Sequence, residues 1–115
     1  MGLLAVSVAA GDLGPVLVLA GEADITSVDL LNRALADQLS RGTRYLTVDL
    51  SGLGFMDSAS LRELVLAARA LKDRGGDLEL VHPQPVVARM LELHGVAEWI
   101  TVRDGASSAT GLEDN

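Results

Sequence analysis

The sequence lacks cysteine and is poor in aromatic residues, with one Trp, one Tyr and one Phe among 115 residues. The lack of cysteine excludes disulfides and thiolate chemistry, and it favours a reducing, cytoplasmic environment. Because aromatic side chains are scarce, a hydrophobic core has to be built from Leu, Val and Ala. Since 49% of the residues are hydrophobic, we expect the chain to fold as one domain with a real core.

Long apolar runs are missing as well. The longest ones, such as residues 16–20, are far too short to span a bilayer. The N-terminal residues MGLLAVSV contain neither a basic region nor a long apolar stretch, so we expect no signal peptide. The formal net charge of -7 argues against nucleic acid and an anionic membrane as partners. These features favour an acidic protein that binds other proteins or small ligands.

Strand patterns and helix patterns alternate along most of the chain. The predicted strands are residues 3–9, 16–20, 45–50, 77–81 and 99–102, and the predicted helices begin after Thr26, at Ser58 and at Val86. The first two strands are close enough to form a hairpin, whereas strands separated by a single helix are normally parallel. The sequence therefore predicts an α/β fold, in which helices pack against a mixed sheet of an N-terminal hairpin plus parallel strands.

This predicted domain comprises residues 1–103. Residues 104–115, DGASSATGLEDN, have no apolar period, and we expect them to form a frayed or disordered polar tail.

The stretch Tyr45–Leu71 is the most distinctive part of the chain. A predicted strand, residues 45–50, leads into a predicted loop with two glycines, residues 51–54. The cluster Asp57-Ser58-Ala59-Ser60 then begins a strongly periodic helix. Such a junction directs backbone N–H groups and hydroxyls beyond the end of the strand, so it is the candidate functional site.

Capping patterns accompany both of the longer predicted helices. Thr26 with Asp29 has the spacing of a capping box, and Asp57 or Ser58 can cap the second helix. A further possible box is Ser60-Leu61-Arg62-Glu63. The hydroxyls of Ser58 and Ser60 have a second interpretation, as an exposed phosphorylation switch. A phosphate carries about −1.5 to −2 charges and would repel a partner docked on the same surface.

Three carboxylates, those of Asp24, Asp49 and Asp57, fall at or just beyond predicted strand ends. Sites in open α/β sheets lie there, and such a group could hold Mg²⁺ or accept a phosphoryl group. The only lysine, Lys72, lies inside a helix, whereas a receiver-type aspartyl-phosphate domain requires one after a late strand. Asp is also favoured at strand ends and helix caps. We therefore predict no metal and no cofactor.

No catalytic pair of nucleophile and base is predicted. His82 and His94 are the only imidazoles, and no sequence spacing ties either of them to the serines. The Gly52-Leu53-Gly54 run lacks the third glycine and the GK[ST] of phosphate-binding loops. The sequence therefore predicts a binding protein rather than an enzyme.

Residues 48–61, VDLSGLGFMDSASL, resemble the motif D-[LF]-S-x-[LV]-x-F-[MIL]-D-S-[ST]-G-L of the STAS domain family and, within it, of the anti-sigma factor antagonists. Residues 21–24, GEAD, resemble the family's G-E-[LFI]-D. The resemblance implies a STAS-like fold and binding to an anti-sigma factor of the histidine-kinase-like ATPase type, which then releases a sigma factor. It implies a partner-binding surface formed by Asp24, Asp57, Ser58, Ala59, Ser60 and Leu61.

The motif departs from the family at its phosphorylation site. In the family, the partner phosphorylates the second hydroxyl residue of D-S-[ST]-G; here Ala59 occupies that position and Ser60 replaces the glycine. Ser58 is the remaining candidate acceptor. A helix turns by about 100° per residue, so a neighbouring hydroxyl points elsewhere. We therefore expect a module that is not switched by phosphate, acting as a monomer or weak dimer. The alternative is a STAS-type nucleotide sensor or scaffold.

Overall fold

The computed structural model describes residues 3–103, which form one five-stranded sheet in the order β1-β2-β3-β4-β5. The strands are β1 (Leu4–Ala10), β2 (Pro15–Ala23), β3 (Tyr45–Met56), β4 (Asp77–Val81) and β5 (Thr101–Arg103). The helices are α1 (Val28–Ser40), α2 (Ser58–Asp73) and α3 (Pro85–Leu93), and short 3-10 turns lie at Ile25–Ser27 and Val96–Glu98. The predicted tail, residues 104–115, lies outside the described residues.

Strand pairing confirms the predicted topology. β1 and β2 form an antiparallel hairpin, and β2, β3, β4 and β5 pair in parallel with one another. Each parallel connection passes through a helix to the next strand of the sheet, and right-handed connections of this kind place all the helices on one face. The predicted α/β fold with a mixed sheet is therefore confirmed.

The core lies between this sheet face and the helices. Leu46, Val48 and Leu50 alternate along β3 and are buried, whereas the intervening Thr47 and Asp49 are only half-buried. The helices contribute the apolar residues expected from their periodicity, among them Leu31, Leu35, Leu61, Leu64, Ala68, Leu71, Val87 and Leu91. No helix within residues 3–103 is long and apolar enough to cross a membrane.

Two central strands run further than the sequence predicted. β2 continues to Ala23 and β3 continues to Met56, so the predicted loop at residues 51–54 is wrong. These residues pair with β2, where Gly52 lies opposite Ala20. A Cβ on Gly52 would lie only 3.1 Å from the Ala20 Cβ, so the close approach of the two strands favours glycine here. Glycine's low strand propensity, which suggested a loop, is overridden by this pairing.

The edge strands are displaced slightly from their predicted positions. β1 begins and ends one residue later than expected. β5 begins at Thr101 rather than Trp99, because residues 96–98 form a 3-10 turn in which the Trp99 N–H donates to the Val96 carbonyl over 2.9 Å. Trp99 is therefore released from the sheet and lies beside α2.

The helix start after β2 is capped by a different residue from the one predicted. Asp24, not Thr26, caps the 3-10 turn that precedes α1: its Oδ1 accepts the Thr26 backbone N–H over 2.9 Å. The Asp24 N–H in turn donates to the Ser27 hydroxyl over 3.0 Å, which completes a capping box. The predicted box of Thr26 and Asp29 is thus wrong. α1 itself begins at Val28, close to the predicted start after Thr26, and the 3-10 turn at Ile25–Ser27 precedes it.

Candidate partner-binding site

The ends of β2 and β3 bring the two predicted site segments together at the carboxyl edge of the sheet. Ala23 pairs with Met56, and the Asp57 N–H donates to the Ala23 carbonyl over 3.0 Å. Asp24 and Asp57 follow these residues directly, so both lie at this edge. Because α2 begins at Ser58, its N-terminus also lies at this edge of the sheet.

Asp57 is the N-cap of α2, as one of the sequence-based alternatives predicted. It has extended backbone angles, and its Oδ1 accepts the Ser60 backbone N–H over 2.9 Å. This hydrogen bond satisfies one of the free donors of the first helical turn. Ser58 and Ala59 are the first two helical residues; Ser58 is exposed and Ala59 is half-buried. The cap therefore fixes the position of both on the molecular surface.

Asp24 is only 7% exposed, and its side chain accepts hydrogen bonds from the turn that follows it. Its Oδ1 accepts the Thr26 hydroxyl over 2.5 Å in addition to the Thr26 backbone N–H. The side-chain hydrogen bond from Thr26 is the main cause that lowers the pKa of Asp24, against the opposing effect of burial. Asp24 thus orders the β2–α1 turn, and its carboxylate is largely enclosed by that turn.

Ser60 is buried, whereas the sequence suggested an exposed hydroxyl. The side chain is 0% exposed, and its Oγ has no hydrogen-bond partner among the described residues. Glu63 accepts the Asn32 side-chain amide over 2.7 Å instead of capping, so the predicted Ser60–Glu63 box is wrong. Leu61 is buried as well. Neither Ser60 nor Leu61 therefore presents an extensive surface to a partner in this conformation.

Exposed apolar side chains that the sequence did not single out lie at the same edge. Ile25 directly follows the cap residue and is 70% exposed, while Phe55, near the end of β3, is 41% exposed. Val86, in the first turn of α3, is 62% exposed. We define the carboxyl-edge surface as Ile25, Phe55, Asp57, Ser58, Ala59 and Val86. An apolar residue inside the polar run DITS was the signal that could have identified Ile25.

The three aspartates do not gather into a cation site. Asp49 lies on the open face of the sheet, where its Oδ1 accepts the Ser51 N–H over 2.9 Å. No group of three acidic or imidazole side chains within residues 3–103 could hold a metal ion.

Comparison with known proteins identifies the family of this chain. A family model described as "Mlab, STAS domain" matches residues 6–103. The chain belongs to the STAS domain family. The fold recognised from residues 21–24 and 48–61 is thereby confirmed.

Relatives of this STAS domain are anti-sigma factor antagonists. BtrV of Bordetella bronchiseptica, provisionally named as one, is 30% identical over 91 residues, which are 79% of this chain and 78% of BtrV. The anti-sigma-B factor antagonist of Staphylococcus aureus is 28% identical over 85 residues, 74% of this chain and 79% of that protein. These relatives are regulatory proteins.

A crystal structure shares the fold. The anti-sigma factor antagonist from Mycobacterium paratuberculosis superposes with a TM-score of 0.80 at 23% identity, over 88% of this chain and 86% of that one. At this level of identity the similarity concerns the architecture of the STAS domain.

The buried hydroxyl of Ser60 leads to a stability prediction. A buried hydroxyl without a partner costs about 1–3 kcal/mol, and Ala has a higher helix propensity than Ser by about 0.5 kcal/mol. We expect Ser60→Ala to raise the free energy of unfolding of the STAS domain by about 1–2 kcal/mol in urea denaturation. Ser58→Ala, at the exposed neighbour, is the control and should change it by less than about 0.5 kcal/mol. An unchanged or lowered stability of Ser60→Ala would show that the hydroxyl has a partner.

The lowered pKa of Asp24 predicts that the difference in free energy of unfolding between the STAS domain and its Asp24→Asn variant depends on pH in the acid range. The charged carboxylate stabilises the folded state above the unfolded-state pKa of about 3.9, and this contribution is lost as the pH falls through the lower folded-state pKa. We expect the wild type to be more stable than Asp24→Asn at neutral pH. Urea denaturation at a series of pH values should show that this advantage shrinks in acid. A stability advantage of the wild type that stays constant into strong acid would contradict the lowered pKa of Asp24.

Proposed function

We propose that this STAS domain is a non-enzymatic regulatory protein of the cytoplasm that binds an anti-sigma factor of the histidine-kinase-like ATPase type and thereby frees a sigma factor. The observation that carries the proposal is the carboxyl-edge surface, where the exposed Ile25 and Phe55 lie at the same edge as the Asp57-Ser58-Ala59 helix start. Four residues of this surface belong to the motif that resembles the family, and this supports the proposal: Phe55, Asp57, Ser58 and Ala59. The named relatives support the same role.

The carboxyl-edge surface has the chemistry of a docking site. Apolar side chains that enter pockets of a partner supply most of the binding free energy in protein complexes. Ile25, Phe55 and Val86 provide such side chains, while Ser58 and the backbone N–H groups of the first turn of α2 provide polar contacts. Asp24 and Asp57 contribute by holding the two strand ends in place.

Binding that is independent of phosphate follows from the residues at the helix start. Ala59 has no hydroxyl, and the Ser60 hydroxyl is enclosed. Ser58 is the exposed hydroxyl of the first turn of α2, so it is the candidate acceptor if a partner kinase acts on this turn. A residue offset by one position presents its hydroxyl in another direction, about 100° around the helix. We therefore propose that the antagonist binds constitutively.

Calorimetry tests the proposal directly. The purified chain is titrated into a histidine-kinase-like anti-sigma factor from the same genome, with ATP present. We expect a one-to-one complex with a Kd of about 1 µM or tighter, which is typical of a transient regulatory contact. The absence of binding to every such anti-sigma factor of that genome would overturn the proposal. Titration of ATP and GTP into the chain alone tests the nucleotide-sensor alternative, for which we expect no heat.

A further inference from the structure

The flank of α2 that faces away from α1 borders an open groove of about 380 Å³. One wall is a stripe along successive turns of α2, formed by Ser58, Leu61, Arg62, Val65 and Arg69. At 1.5 Å per residue, this stripe extends for about 16 Å along the helix axis. Ser58 belongs to both surfaces, so the groove is continuous with the carboxyl-edge surface.

The opposite wall comes from the segment between α3 and β5. It consists of His94, Val96 and Trp99, of which Val96 is buried and Trp99 is 61% exposed. The Lys72 ammonium donates to the Trp99 carbonyl over 2.6 Å and so ties this wall to the last turn of α2. The groove therefore has an apolar floor and an exposed aromatic wall that a hydrogen bond holds in place.

Two guanidinium groups border this floor. Arg62 and Arg69 are exposed, and neither has an ion-pair or hydrogen-bond partner within residues 3–103. Arg41 and Arg103, by contrast, are paired with Asp37 and Glu79. No acidic side chain of the described part of the chain lines the groove. On a chain with a net charge of -7, the groove is thus a local cationic site beside apolar surface.

We propose that the groove binds an acidic amphipathic helix of the anti-sigma factor, an inference that rests on the proposed function for the identity of the partner. Arg62 and Arg69 are two helical turns apart, about 10.5 Å, which matches carboxylates separated by two turns of a partner helix. Apolar side chains of that helix would cover the half-buried Val65 and the exposed Trp99, in the helix-in-groove mode of recognition. Because the groove is open along its length, it suits a polypeptide segment.

Charge reversal tests the proposal. We expect the double variant Arg62→Glu/Arg69→Glu to bind the anti-sigma factor at least about tenfold more weakly at low salt, because two attractive contacts become repulsive. The dependence of affinity on salt should also become flatter or change sign, since salt screens these contacts. Arg33→Glu/Arg44→Glu is the matched control: both arginines are exposed and outside the groove, and the net charge changes equally. Its affinity should fall by less than about threefold.

A second variant removes the aromatic wall without adding charge. Trp99→Ala should also weaken binding by about tenfold, and because the side chain is mostly exposed, its thermal unfolding should stay close to that of the wild type. If the wild type binds the anti-sigma factor but Arg62→Glu/Arg69→Glu weakens binding no more than the control variant does, the acidic-helix proposal is overturned and the proposed function stands. The same conclusion follows if only Trp99→Ala weakens binding. Failure of the wild type to bind would overturn both.

Discussion

The variant Ala59→Ser should take up one phosphate from the partner kinase, whereas the wild type should take up none. Residue 59 is the second residue of α2, and Asp57 fixes its position on the surface through the N-cap hydrogen bond. The positive end of the helix dipole stabilises an added phosphate locally, so α2 should stay folded. The phosphate brings about −1.5 to −2 charges into the proposed docking surface, where like-charge contacts cost several kcal/mol. We therefore expect phosphorylated Ala59→Ser to bind the anti-sigma factor at least about 100-fold more weakly.

Intact mass and calorimetry measure the two parts of this prediction. Ser58→Ala and the double variant Ser58→Ala/Ala59→Ser are the controls, because they separate the new hydroxyl from the one already present. Only the variants with serine at residue 59 should gain the mass of a phosphate. Phosphorylation of the wild type on Ser58 would contradict constitutive binding. An Ala59→Ser variant that stays unmodified beside an active kinase would show that this position is not an acceptor here.

Replacing Phe55 by aspartate should abolish measurable binding, with a loss in affinity of about 100-fold or more. Phe55 is 41% exposed at the end of β3, so burial of the exposed part of this side chain in a complex contributes about 1 kcal/mol. Aspartate loses this contribution and places an uncompensated carboxylate in an apolar contact, which adds a further cost. Calorimetric titration into the anti-sigma factor measures the change.

Two variants control for folding and for charge. Phe55→Leu keeps an apolar side chain and should bind within about tenfold of the wild type. Leu13→Asp adds the same charge at a residue that is 75% exposed. Leu13 lies in the turn between β1 and β2, at the opposite edge of the sheet from the ends of β2 and β3. This variant should bind like the wild type. Equal affinities of Phe55→Asp and Leu13→Asp would exclude the carboxyl-edge surface from the complex.

The sequence predicted the framework well because the periods of its apolar residues are long and regular. The alternation of Leu46, Val48 and Leu50 and the helical spacing of Leu61, Leu64 and Leu71 each identify one buried face. It missed the extension of β3 because Gly52 and Gly54 favour loops in isolation. The partner strand that overrides this tendency, β2, is some thirty residues away in the sequence. Pairing between distant segments is not visible in local propensities.

The sequence predicted that Asp24 and Asp57 lie at strand ends, but it did not predict which side chains around them are exposed. Once Asp57 is the N-cap, Ser60 is the third helical residue and shares a stripe with Leu64, Ala67 and Leu71 at spacings of three and four, so its burial follows from the helical phase. That phase was available from the sequence. The exposure of Ile25 and Phe55 was not, because it depends on where β2 and β3 end.

Release of a sigma factor is the measurement that tests the central claim most directly. The purified chain is added in excess to a preformed complex of the anti-sigma factor and its sigma factor, and the mixture is separated by gel filtration. We predict that free sigma factor appears in proportion to the added chain, that the anti-sigma factor elutes with the STAS domain, and that Phe55→Asp releases none. A sigma factor that stays bound under saturating amounts of the chain would contradict the account.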